Sequence, residues 1–110
     1  MAIEIKQTKN GFIQLAIQNE MTIYTAQEQK KMLFEQLKFS KQLQIDLGGV
    51  SEIDCAGVQV LMFIKSESES RNNKLILIHH SKAVVEAIEL LNLSTFFGDP
   101  IVISADWKSL

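Results

Sequence analysis

Apolar and polar residues alternate at the start of the chain, where Ile3 and Ile5 are interleaved with Glu4 and Lys6. A second alternating run, Phe12-Ile13-Gln14-Leu15-Ala16-Ile17, follows the turn signal Asn10-Gly11. Period-two runs separated by Asn-Gly predict two short strands joined as a hairpin. From Thr22 to Lys38 the pattern changes to one rich in Gln, Glu, Lys, Leu and Met, residues that favour helix. There Ala26, Leu33 and Leu37 mark an apolar stripe, Thr22 or Thr25 can cap it, and Glu28, Lys31 and Glu35 face solvent. Leu43-Gln44-Ile45-Asp46-Leu47 alternates strictly, as a strand with one buried face does, and Gly48-Gly49 is expected to end it. The next helix is predicted from about Ala56 to about Asn72. Within 74–79, Leu75-Ile76-Leu77-Ile78 is an unbroken apolar run that suits a strand covered on both faces. Ser81 is a good N-cap for a helix whose stripe, Val84, Ala87, Ile88 and Leu91, has the spacing i, i+3, i+4, i+7, and Asn92 can end it. Ile101-Val102-Ile103, after Asp99-Pro100, forms a short last strand, and Trp107 lies in a tail too short to assign.

The element order is therefore β-β-α-β-α-β-α-β. Strands alternating with helices imply an α/β fold with right-handed crossovers and a mixed sheet of four to five strands. Gln44 and Asp46 give one strand a polar side, so the helices are expected mainly on the other face. At 110 residues the chain is expected to form a single domain, 1–110. Eleven basic and 13 acidic residues are well mixed for a net charge of -2, without the basic patch that nucleic-acid binding requires. One cysteine rules out an internal disulfide framework and fits a reducing cytosol. The start lacks the pattern of a signal peptide, and no apolar run approaches the roughly 20 residues of a membrane span. A cytoplasmic location is expected.

The most informative stretch runs from Asp46 to Leu61 and reads as a strand end, a loop and a helix start. Free N–H groups at a helix N-terminus favour negative charge. Asp54 can cap this helix, and Gly57 lets another backbone approach closely. Gly57, Val60, Leu61 and Ile64 fall on one side, able to cover the sheet. Val58 and Met62 fall on a different side, and Phe63 on another still. A helix on a sheet needs one apolar stripe, so a second strip beside an exposed loop points to a contact surface. The alternative is that neighbouring helices cover it.

The segment IDLGGVSEIDCAGVQVLMFIKSESE resembles the central motif of STAS domains, in which a strand leads through a loop to Asp-Ser-x-Gly-Leu at a helix start. SKAVVEAIELLNL is similar to their later helix. The resemblance implies a STAS fold and a non-catalytic protein-docking role. In the anti-anti-sigma branch of that family, a partner kinase phosphorylates the serine after the aspartate and releases the partner. Carried over, Asp54 matches the aspartate, Cys55 the phosphoserine and Gly57 the glycine. Cys55 is the departure, since a serine kinase does not normally modify a thiol; Ser51 and Thr25 are nearby hydroxyls that do not match that place, and an anti-sigma factor antagonist switched by phosphorylation at one of them is the alternative. MTIYTAQEQKKMLFEQL together with EIDCAGVQVL is most similar to stand-alone STAS proteins of bacterial chemotaxis, which often lack the serine. Related stand-alone members are small subunits of lipid-trafficking ABC transporters. The implied partner is a protein: a signalling kinase, an anti-sigma factor or a chemotaxis component. Neither nucleic acid nor membrane insertion is implied. Self-association as a homodimer stays open, through the apolar strip or an edge strand.

Other chemistry finds less support in the residues. Cys55 at a helix N-terminus is the basis for a thiol redox sensor or enzyme, but catalysis needs a base beside it, and no oxyanion-hole motif or orienting group can be named near His79 and His80. Adjacent strand residues point to opposite faces, so one histidine is expected packed and the other exposed. One cysteine and two histidines make a poor zinc set, and no cofactor is expected. Asp46 and Asp54, on different elements, fit a solvent-side strand residue and a cap better than a Mg²⁺ pair. Gly48-Gly49 lacks the Lys and Ser/Thr of a phosphate loop. The expected partner-binding patch is Asp54, Cys55, Ala56, Gly57, Val58 and Met62, with Thr22 and Tyr24 beside it. Cys55 would hold it in a neutral, unswitched state.

Overall fold

Asn10 and Gly11 both have positive φ, 53° and 85°. This is the two-residue turn whose twist matches that of paired strands. It closes the expected hairpin, with Lys9 opposite Phe12. In the computed structural model, which describes residues 3–92, the elements are β1 (Ile3–Lys9), β2 (Phe12–Met21), α1 (Ala26–Phe39), β3 (Gln42–Ile53), α2 (Cys55–Ser70), β4 (Lys74–Ile78) and α3 (Lys82–Leu90). The sheet order is β1-β2-β3-β4. β1 runs antiparallel to β2, and β2, β3 and β4 are mutually parallel. The strand expected at 101–103 and Trp107 lie outside the described residues.

The topology puts the helices on one face. Both α1 and α2 cross between adjacent parallel strands and advance in the same direction, so two crossovers of one hand land on the same side. Residue parity agrees. Ile13, Leu15 and Ile17 of β2, Leu43, Ile45 and Leu47 of β3, and Leu75 and Leu77 of β4 form one core with Leu33 and Leu37 of α1, Leu61 and Ile64 of α2, and Val84 and Ile88 of α3. Even-numbered Gln44 and Asp46 lie on the opposite face, half-buried.

Three expectations change in detail. β3 does not stop at Gly48-Gly49: it runs on to Ile53, because β2 also extends to Met21 and keeps pairing with it as far as Met21 opposite Ile53. The extension is bought with two irregularities, between Ala16 and Gln18 and between Asn19 and Glu20, and Asn19 takes φ 67°. Bulges of this kind bend a strand at a sheet's end, and Asn tolerates the left-handed region better than most residues. β4 buries Leu75 and Leu77 but leaves Ile76 and Ile78 half-buried, so its second face is only partly covered. Finally, α1 begins at Ala26, not at Thr22, because Thr22 and Thr25 are committed to the turn before it.

Candidate functional site

The carboxyl ends of the parallel strands β2 and β3 lie side by side, so the loop leaving β2 and the turn leaving β3 form one corner. Asp54 joins them. As N-cap of α2, its Oδ1 accepts the Gly57 N–H at 3.1 Å. Its Oδ2 accepts the Ile23 N–H at 3.0 Å from the other loop, and its own N–H donates to the Met21 carbonyl at 3.2 Å. The Ile23 N–H, and then those of Gly57 and Ala56, hold the Asp54 carboxyl below the usual carboxylate range, while desolvation opposes them. Asp54 therefore acts as an ionised clip between two loops.

Gly57 makes the close approach possible. A Cβ built there would overlap the Met21 carbonyl and crowd the Ile53 side chain. The first turn of α2 thus rests directly on the end of β2. The β2–α1 turn is bonded throughout. Thr25 Oγ1 accepts the Thr22 N–H at 3.0 Å, Thr22 Oγ1 accepts the Tyr24 N–H at 3.3 Å, and the Thr22 carbonyl accepts from Thr25 and Ala26 N–H at 2.9 and 2.8 Å. Buried Gln29 of α1 donates Nε2 to the Glu20 carbonyl at 2.9 Å, and its Oε1 lies 3.2 Å from Thr25 Oγ1. Thr25 is the positional N-cap, yet its hydroxyl bonds within this turn and caps no N–H of α1.

The result is a rigid turn that holds two large side chains in solvent: Ile23 is 70% exposed and Tyr24 90%. Cys55, a free thiol, is exposed beside them in the first turn of α2. Of the expected patch, Asp54, Cys55 and Tyr24 are exposed and Ala56 is half-buried. Gly57 is buried beneath them, as its packing role requires. Val58 and Thr22 must be withdrawn from the surface, at 2% and 5% exposed. Thr22 is consumed by the turn. Val58 is buried because the inward arc of α2 is broad, running from Val60 through Ile64, Gly57 and Leu61 round to Val58, so the second apolar strip is partly core. Met62 is half-buried and packs against that core, as does Phe63. Ile23 was missed. Its signal was present: an isolated Ile-Tyr pair in a segment of turn-forming threonines.

The remaining candidates separate. His80 is buried and His79 exposed, one packed and one solvent-facing as expected. His79 has φ 54°, and its Nδ1 lies 3.1 Å from Asp46 Oδ2. Asp46 Oδ1 accepts the Gly48 N–H at 2.8 Å. Asp46 thus braces the turn after β4 and is half-buried, less open than expected for a solvent-side residue. Among the described residues no group of three or more His, Cys, Asp or Glu side chains is gathered as a metal site would need. Among them, too, no helix is long and apolar enough to cross a membrane. Ser51 is an exposed strand residue near the end of β3, whereas Thr25 is half-buried and its hydroxyl already bonded.

Residues 3–106 match the family described as STAS domain. The anti-sigma-B factor antagonist of Listeria monocytogenes is 30% identical over 95 residues, which cover 86% of this chain and 83% of that protein. Among solved structures, a candidate anti-sigma factor antagonist from Thermotoga maritima superposes with a TM-score of 0.78 at 21% identity, covering 97% of this chain and 91% of the other. The anti-sigma factor antagonist SpoIIAA in its unphosphorylated form gives 0.70 at 12% identity, with 98% and 94% covered.

Proposed function

The chain belongs to the STAS domain family, and from that premise we propose that it is a non-catalytic docking module of the anti-sigma factor antagonist type, working in the cytoplasm. The docking surface is the corner built by Ile23, Tyr24, Asp54, Cys55 and Ala56. The observation that carries this reading is the exposure of Ile23 and Tyr24 on a turn held rigid by Asp54. A large apolar pair that costs hydration, yet is fixed in place, suits a partner's pocket better than a free surface. Tyrosine is a common anchor at such contacts, combining area with little conformational entropy.

Cys55 occupies the helix-start position that the family resemblance pairs with phosphoserine. An exposed thiol there gives no site for a serine kinase, so partner release would not depend on phosphate at this residue. That supports a constitutive docking element, and the likeness of residues 21–37 to stand-alone chemotaxis STAS proteins favours a chemotaxis component as its target.

The test is co-precipitation from cells of the source organism with the tagged chain, followed by mass spectrometry of what it retains. Ile23→Asp and Tyr24→Asp, each checked for an unchanged fold by circular dichroism, are expected to lose the retained protein. Full retention by both variants would remove the corner as the docking surface.

A further inference from the structure

A trough follows the seam between α1 and α2. It opens beside Ala56, is shallow in side chains where Ala26 faces it, and runs over Val60 and Phe63 towards Phe34. Gln27 and Gln59 edge it, and the charged residues lining it are Lys30 and Lys31. Lys30 Nζ sits 4.3 Å from the centre of the Phe63 ring. At the far end Lys38 and Arg71 stand 5.5 and 5.0 Å from the centre of Phe34, whose ring lies 5.8 Å from that of Phe63. Each of these charged heads rests on an aromatic face, while its outer N–H donors stay open to solvent and to an incoming carboxylate. No carboxylate lines the trough among the described residues. Glu67, at the far end, is 3.6 Å from Arg71 and already paired. A chain with net charge -2 thus carries an apolar floor under a positive rim along one seam.

We infer that this seam receives an acidic amphipathic helix of the protein partner. The inference rests on the docking reading above, since the trough opens next to Cys55 and continues that surface. Apolar side chains of the incoming helix drop between Ala26, Ala56 and Val60, where small residues leave room, and towards Phe63. Aspartates and glutamates flanking them reach Lys30 and Lys31. An amphipathic helix laid into an apolar groove is a recurrent mode of recognition, and opposite potentials set its orientation and exclude basic competitors. From Ala26 to Phe34 the seam is roughly 12 Å long at 1.5 Å per residue, enough for about two turns of the guest.

The test is a displayed library of helix-patterned peptides with randomised charges, selected on the full chain. The winners are remeasured as labelled synthetic peptides against the chain, against the double variant Lys30→Glu/Lys31→Glu, and against Ala56→Trp. Circular dichroism checks that both variants fold. Winners are expected to carry Asp or Glu around apolar residues at i, i+3 or i+4, to weaken with added salt, and to bind the charge-reversed variant about tenfold less tightly or worse. Ala56→Trp should weaken them by filling the upper end. Winners without acidic bias, equal affinity for the charge-reversed variant, or no enrichment would overturn the inference. So would binding to phosphatidylglycerol vesicles in place of peptides, which would assign the cations to a membrane surface. The docking reading is judged separately by Ile23 and Tyr24 in the co-precipitation, so peptides can fail here while that reading stands.

Discussion

Asp54 uses both carboxylate oxygens, one on the Gly57 N–H of its own helix and one on the Ile23 N–H of the neighbouring loop. An alanine there removes the cap and frees the loop, for an expected cost of about 1–2 kcal/mol by urea denaturation. Asparagine, with one acceptor oxygen, should recover only part of it. The same bonds give the site a pH dependence. Because the folded carboxyl titrates below its ordinary range, its contribution is complete above the unfolded-state value and is lost as pH falls through the folded value. The stability gap between the chain and Asp54→Asn should therefore be constant near neutrality and close in acid, as denaturant midpoints across that range will measure. Gly57→Ala is a different case. Its new methyl meets the Met21 backbone, which cannot rotate away, so a loss of about 1–3 kcal/mol is expected. Both residues could be read from the sequence, because capping and close approach are local demands. The bond to Ile23 could not, since it spans 31 positions and depends on which strands become neighbours.

At the level of elements, the hydrophobic pattern predicted each helix and strand within residues 3–92, but it did not show where β2 and β3 end. Alternation is interrupted wherever a bulge shifts the register, and one such shift falls between the Asp46 and Gly49 pairings and a second in the paired extension beyond Gly48-Gly49. Gln29 shows the other limit. In a helix pattern a glutamine reads as solvent-facing, yet it is buried, because the irregular end of β2 presents the Glu20 carbonyl to α1 and Gln29 donates to it. Its polarity serves the strand, not water. Gln29→Leu keeps the burial and removes the donor, leaving the Glu20 carbonyl without this partner inside the turn. A loss of about 1–3 kcal/mol is expected, with faster amide hydrogen exchange in residues 20–26 than in the sheet centre. Exchange that stays unchanged there would mean the turn does not depend on α1.

For the whole molecule, the parallel order of β2 and β3 brings their two exit loops together, and same-handed crossovers leave that corner with α1 and α2 behind it. Sheet order determines this juxtaposition, so the residue pattern marked Cys55 and Tyr24 separately but could not say which of their neighbours face solvent. Val58 and Tyr24 test the division. Periodicity places both outside the main stripe, but the fold buries one and holds the other in water. A carboxylate at Val58 would sit without a partner in the core, so Val58→Asp is expected to unfold the domain or cost more than about 3 kcal/mol. Tyr24→Asp breaks no side-chain contact needed for folding and should stay within about 0.5 kcal/mol of the parent, while removing the protein that the parent retains. Denaturation and co-precipitation on the same two variants therefore separate folding from docking. Equal destabilisation by both would mean that Tyr24 belongs to the core of the assembled fold, and the rigid apolar corner would no longer be available to a partner.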